Sequence, residues 1–171
     1  LHINEGALYQ AKIIGIQKGS SGSPGEISGM IHYDAQQVIG SIDKNCDQGI
    51  FGTLNIVPKP LSLKKMEVVY KQELETGPAT VLCGIDGEVK EFDAEITRID
   101  MNHEDSNKSF VIQVTDQELL DMTGGIVQGM SGSPVIQNGK FAGAITHVFV
   151  QDAAGGYGIF AETMIENVEK E

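Results

Sequence analysis

The sequence predicts an all-β fold, a sandwich or a barrel joined by tight turns. Three observations carry this. The apolar residues fall into short runs rich in Val, Ile, Phe and Thr, residue types that suit a pleated surface. Turn signals separate the runs at regular spacing, in a chain of 171 residues with 21 glycines, 5 prolines and no tryptophan. Only two stretches, both short, have helical character. Counting the runs gives about ten to twelve short strands, the signature of an antiparallel β architecture.

Taken in order, Ala7–Ile16 alternates through Ile13, Ile14 and Ile16 and reads as a strand, and Lys18–Glu26 as a Gly/Ser/Pro loop. Gly29–Tyr33 and Gln36–Ile42 are short strands, the second running into an Asp43–Gln48 turn. Gly49–Val57 is a further strand, ended by Pro58 and Pro60 because proline cannot donate to a ladder. Met66–Lys71 suits a strand through Val68, Val69 and Tyr70. Ala79–Leu82 and Val89–Ile99 form a hairpin about Asp86-Gly87, and the second arm sets Val89, Glu91, Asp93 and Glu95 against Lys90, Phe92, Ala94 and Ile96. A polar turn, Asn102–Asn107, precedes the strand Ser109–Val114. Gln117–Asp121 is a short helix with Asp116 or Thr115 as its N-cap. Ala161–Glu169, with Met164, Ile165 and Val168 at helical spacing, is the only substantial helix.

Composition excludes several classes. A net charge of −12 and a pI near 4.6 make a poor match for phosphate backbones, so no nucleic-acid partner is expected. The acids are spread out apart from a Glu166–Glu171 patch, which reads as solvated surface. The apolar runs are far short of a membrane span, and no signal peptide is visible. Cys46 and Cys83 form no C-x-x-C, and His2, His32, His103 and His147 are scattered, so neither a metal nor another cofactor is expected. Whether the two cysteines pair or stay free is open at this stage. The chain opens at Leu1 without Met, which points to trimming, cleavage or cloning from something longer.

The stretch with chemical content is Thr123–Val150. Gly129-Met130-Ser131-Gly132-Ser133-Pro134 forms a turn between apolar runs, and Asn138-Gly139 closes a hairpin into the strand Phe141–Val150. A serine hydroxyl attacks a carbonyl effectively when it projects from a tight turn and backbone N–H groups hold the oxyanion. Gly129 and Gly132 bracket Ser131 and permit such a turn, with the N–H groups of Gly129 and Ser131 as the donors. The G-x-S-G-x-P pattern resembles the G-D-S-G-G-P nucleophile loop of trypsin-like serine proteases. A plain hairpin loop is the competing reading, and Ser21-Gly22-Ser23-Pro24 repeats the SGSP string in what reads as an ordinary loop.

The wider context resembles one family. Val114-Thr115-Asp116, Leu119-Leu120, the run Thr123–Pro134 and Thr146–Val150 are similar to the SpoIVB peptidases, the stage IV sporulation protein B serine peptidases of spore-forming Firmicutes. Upstream, Gly22-Ser23-Pro24-Gly25-Glu26, Gly40-Ser41-Ile42 with Lys44-Asn45, and Gly49–Leu54 extend the resemblance to about Gly6–Gly158. It implies a trypsin-like double β-barrel with a short C-terminal helix, and a serine peptidase domain over residues 1–171. About 1–75 would be the remainder of a first barrel and about 76–171 the second, with the cleft between them.

By the same resemblance Ser131 is the nucleophile, and Asp116, fifteen residues before it, matches the family's proposed acid. The N-cap reading of Asp116 stands beside the acid reading. In ordinary trypsin-like enzymes the acid lies far upstream, which makes Asp34, Asp43 or Asp47 alternative orienters. The family's catalytic histidine sits in a Gly-His motif ahead of the segment aligning with Leu1, and this sequence contains no Gly-His. The chain as given is therefore expected to lack its base and to be inactive or nearly so. His147, sixteen residues after Ser131, either shapes the pocket for the substrate residue before the scissile bond or is a core histidine bonded to backbone.

The resemblance also implies a biological role. The enzyme is secreted across the forespore membrane into the intermembrane space of the sporulating cell. There it cleaves itself and a membrane-held regulator of an intramembrane protease, so that a sigma factor is activated. A membrane anchor and a PDZ domain are usual in the family, and neither lies in this sequence. The alternative function is a non-catalytic β-barrel module that binds peptides by strand addition.

Overall fold

Alternation dictates the architecture, and it is cleanest where the core is best formed. The computed structural model describes residues 5–57, 65–102 and 104–168. Expectations that fell on His2, His103, Pro58, Pro60 and Glu169–Glu171 lie outside the described residues. The N-terminal half contains β1 (Gly6–Tyr9), β2 (Ala11–Gln17), β3 (Glu26–Ile31), β4 (Val38–Cys46) and β5 (Gly49–Leu54). The C-terminal half contains β6 (Gly77–Cys83), β7 (Lys90–Ile99), β8 (Phe110–Val114), α1 (Gln117–Thr123), β9 (Pro134–Gln137), β10 (Lys140–Val148), β11 (Gly155–Phe160) and α2 (Ala161–Val168).

The C-terminal half closes into a six-stranded antiparallel barrel, in the order β10-β11-β8-β7-β6-β9. On β7, Phe92, Ala94 and Ile96 face inward while Glu91, Asp93 and Glu95 face water. Ala79, Val81 and Cys83 on β6 and Phe110, Ile112 and Val114 on β8 repeat the pattern. Burying each of the large side chains is worth roughly 1.5–3 kcal/mol. Each strand of the barrel has a neighbour on both sides, although β10 runs on past Ala144, its last pair with β9. α1 starts at Asp116, whose side chain accepts from the Leu119 N–H, and its Leu119 and Thr123 are buried.

The N-terminal half is built differently from the closed barrel. Among the described residues it forms two separate sheets, β1-β4-β5 and the hairpin β2-β3, and neither closes. The main buried cluster draws on residues from Val69 onward, whereas Ile14, Met30, Ile31 and Tyr33 stand exposed. The β2-β3 hairpin nevertheless docks on the barrel. The N–H of Gly19 donates to the Thr123 carbonyl, and those of Gln128 and Ile27 exchange bonds with the carbonyls of Gly25 and Gln128.

Two elements depart from expectation. Met66–Lys71 is not a strand: Val68 makes one isolated bridge to Phe141 of β10. The β10 edge facing Val68 is taken over by β11 from Gly143 onward, so no longer ladder can form. Conversely, Gly155–Gly158, whose sequence reads as a segment closing the cleft, a loop near it or a plain hairpin, opens the strand β11 between β10 and β8. Glycine is a poor strand former, but here the absent side chain is required, because a Cβ on Gly158 would collide with the buried Phe110 ring. The C-terminal helix is present as α2 and tied back by Lys44 Nζ, which donates to Asn167 Oδ1 at 3.1 Å. Cys46 and Cys83 are both free thiols.

Candidate active site

The Gly129–Pro134 turn is built by its own backbone. The Met130 N–H donates to the Val127 carbonyl (3.1 Å) and the Ser133 N–H to the Met130 carbonyl (2.9 Å). Gly132 and Ile145 tie the turn to β10, the Gly132 N–H donating to Ile145 and the Ile145 N–H to Ser133. Met130 is buried as an anchor while Ser131 and Gly129 are exposed. Gly129 has φ 103°, a left-handed conformation that costs little only without a Cβ. That conformation leaves the N–H groups of Gly129 and Ser131 without an acceptor among the described residues. Two unspent donors beside an exposed hydroxyl are what an oxyanion site requires.

Ser131 Oγ donates to the Thr146 carbonyl at 2.8 Å. Thr146 sits at a bulge in β10, where the pairing with β11 skips from Ile145 to His147, and its own hydroxyl donates to the Asn107 carbonyl at 2.6 Å. Bulges re-aim backbone groups in this way near functional sites.

Two concavities meet at Ser131, and both are lined by Ile145, Thr146 and His147. The larger, about 500 Å³, is lined by Ser131 and by Asp47 and Gln48 of the β4–β5 turn and Met164 of α2. That turn is held to the barrel by Asn107 Nδ2, which donates to the Asp47 carbonyl, and by Gln48 Nε2, which donates to Ser106 Oγ at 3.1 Å. The smaller, about 250 Å³, is lined by Ile126–Gly129 and Val148. A still larger hollow, about 800 Å³, lies between the β2-β3 hairpin and the Gly84–Gly87 turn and includes His32, but nothing of the Gly129–Pro134 turn.

The structure therefore brings together Gly129, Ser131, His147 and Asp47. It does not bring Asp116 to them. Asp116 lines neither concavity, and both of its carboxylate oxygens accept backbone N–H groups: Oδ1 from Leu119 at 3.1 Å and Oδ2 from Asp93 at 3.2 Å. Of the upstream acids, Asp34 caps the Ala35–Gln37 turn by accepting from the Gln36 N–H, and Asp43 is paired with Ser41. Only Asp47 of these four lines a cavity with Ser131. His147 is exposed, so it is not a core histidine. Sequence reasoning missed Thr146 as the acceptor of the Ser131 hydroxyl, although it stands at a fixed offset in the strand that returns from the turn. Cys83, away from the site, has its thiol pushed up to about 12, first by burial and then by the charges of Asp86 and Asp116. Among the described residues no three His, Cys, Asp or Glu side chains are grouped to hold a metal, and no helix is long and apolar enough to cross a membrane.

Among solved structures, the Rv3671c protease from M. tuberculosis in its active form is similar with a TM-score of 0.53 at 16% identity, over 94% of this chain and 71% of that one. The inactive form of the Rv3671c protease gives 0.48 at 16% identity, over 99% and 87%. Likeness at that identity speaks to the fold, and the fold is trypsin-like. No curated protein sequence matches the chain. The description SpoIVB peptidase S55 matches residues 1–165. A match that long does not arise from one shared loop, and the chain belongs to the SpoIVB peptidase S55 family.

Proposed function

We propose that this chain is the catalytic domain of a serine endopeptidase in which Ser131 is the nucleophile. The observation that carries the reading is the pair of unspent N–H groups, Gly129 and Ser131, beside an exposed hydroxyl in a glycine-bracketed turn. Ser131 Oγ attacks the scissile carbonyl, its proton passes to a histidine, and the two N–H groups hold the oxyanion. The histidine then returns the proton to the leaving amine. The larger concavity, between Ser131 and Asp47, is the seat for that imidazole, and the family resemblance puts the histidine ahead of Leu1. Asp47, rather than the cap residue Asp116, is then the acid that orients it. The Ser131 hydroxyl rests on the Thr146 carbonyl, and attack requires it to turn away from there.

Family membership supports the finer reading. The protein acts in sporulation signalling, cleaving a membrane-held regulator of an intramembrane protease and itself, in the space between the two membranes of the sporulating cell, as part of a longer protein with an anchor and a PDZ domain. Labelling with a fluorophosphonate, read by peptide mass spectrometry, tests the chemistry. Label is expected at Ser131 in a chain extended upstream of Leu1, about 10²–10⁴-fold slower in the 171-residue chain on the proposal that the base lies upstream, and absent in Ser131→Ala. No label in any chain would overturn the reading and favour a peptide-binding barrel.

A further inference from the structure

The smaller concavity carries information about the substrate that the family match does not. The carbonyl under attack must lie between the N–H groups of Gly129 and Ser131. Both residues line the smaller concavity, whereas Gly129 is absent from the lining of the larger one. The side chain just before the scissile bond therefore drops into the smaller space. The strand pairing agrees. β9 leaves β10 after Ala144, so the edge of Thr146–Val148 that faces away from β11 has no strand partner among the described residues. A substrate backbone can add there as an antiparallel strand.

The floor of that space is apolar and closed. Ile126 and Val127 are buried to 1% and 2% exposure. Ile126 Cδ1 lies against Gly156 of β11, within 2.8 Å of where a Cβ would stand on that glycine. Ile126 is thus wedged between the floor and β11, and the His147 carbonyl lies closer still to the place of that Cβ. None of the nine lining residues is Asp, Glu, Lys or Arg; the polar side chains are Gln128, Ser131, Thr146 and His147. A charged group inserted here loses water and meets no counter-charge.

Resting on the serine peptidase reading above, we infer that this pocket selects a small, uncharged aliphatic side chain, such as Ala or Val, at the residue before the scissile bond, and rejects aromatic and charged ones. Ile126 sets the depth, and His147 forms part of the wall.

The test uses the full natural chain that carries these residues, with peptidyl diphenyl phosphonates bearing Val, Phe, Lys or Glu side chains at that position. Simple fluorophosphonate labelling runs in parallel. Inactivation is expected at least ~100-fold faster with Val than with the other three, the scale on which apolar pockets discriminate. Ile126→Ala is expected to narrow the gap between Phe and Val by ~10-fold or more while leaving Lys and Glu excluded. The wild-type profile decides the matter even where Ile126→Ala fails to fold. Fluorophosphonate labelling with equal phosphonate rates, or with Lys, Glu or Phe preferred, overturns the pocket assignment and leaves the nucleophile standing. Absence of all labelling overturns both.

Discussion

Replacing Asp116 separates its two sequence readings. Its carboxylate accepts two backbone N–H groups, Leu119 at the head of α1 and Asp93 on β7. Losing an N-cap costs about 1 kcal/mol and losing a further hydrogen bond about 1 kcal/mol more. Asp116→Ala should therefore destabilise by about 2 kcal/mol, a fall in Tm of roughly 4–8 °C for a domain of this size. Asn caps a helix as well as Asp but has one acceptor oxygen instead of two, so Asp116→Asn should cost about 1 kcal/mol and roughly 2–4 °C. Asp47 is exposed and only its backbone carbonyl is bonded in the structure, so Asp47→Asn should shift Tm by less than ~2 °C, as surface changes do. Thermal unfolding by circular dichroism gives the stabilities, and fluorophosphonate labelling of the extended chain gives the reactivity. Loss of a triad acid costs about 10⁴ in rate. The expected result is a loss of that order, at least ~100-fold, for Asp47→Asn, and a change within about threefold for Asp116→Asn. The reverse pattern, with Asp116→Asn inert at an unchanged Tm, would refute the assignment of Asp116 to the cap.

Further outcomes follow from single contacts. Gly129→Ala places a Cβ 3.0 Å from that of Ile27 at φ 103°, so the peptide carrying one oxyanion donor must turn, and labelling or turnover should fall about 10²–10³-fold. Gly158→Ala drives a methyl into the Phe110 ring, and overpacking of this kind should lower stability by about 1–3 kcal/mol or more, visible in a denaturant midpoint. The Cys83 thiol is raised from 9.0 to about 12, so the native state holds a proton that the unfolded chain releases. Its contribution to stability is complete below about pH 9 and is lost as pH rises towards 12. At pH 8 a thiol reagent should modify the half-buried Cys46 well before Cys83, with both reacting after denaturation; equal native rates would contradict the burial of Cys83.

The sequence by itself determined the β architecture, because a period of two along β6, β7 and β8 is written into which residues are apolar. It also determined the turn around Ser131, since glycines on both sides of a serine encode backbone angles locally. The cap of α1 was equally legible, with Asp116 directly ahead of a short helical run. The remainder depended on residues far apart in the chain. Gly155–Gly158 looks like a loop until the Phe110 ring is placed over it, and only then does glycine become a requirement of a strand. Met66–Lys71 has strand residues but finds a β10 edge already claimed by β11. The choice among Asp34, Asp43, Asp47 and Asp116 could not be made from spacing, because an orienting acid is defined by the cavity that it shares with the nucleophile. That cavity exists only where the β4–β5 turn, held by Asn107 and Ser106, meets the bulge of β10. Local chemistry made the serine readable; the meeting of two halves of the chain decided what stands around it.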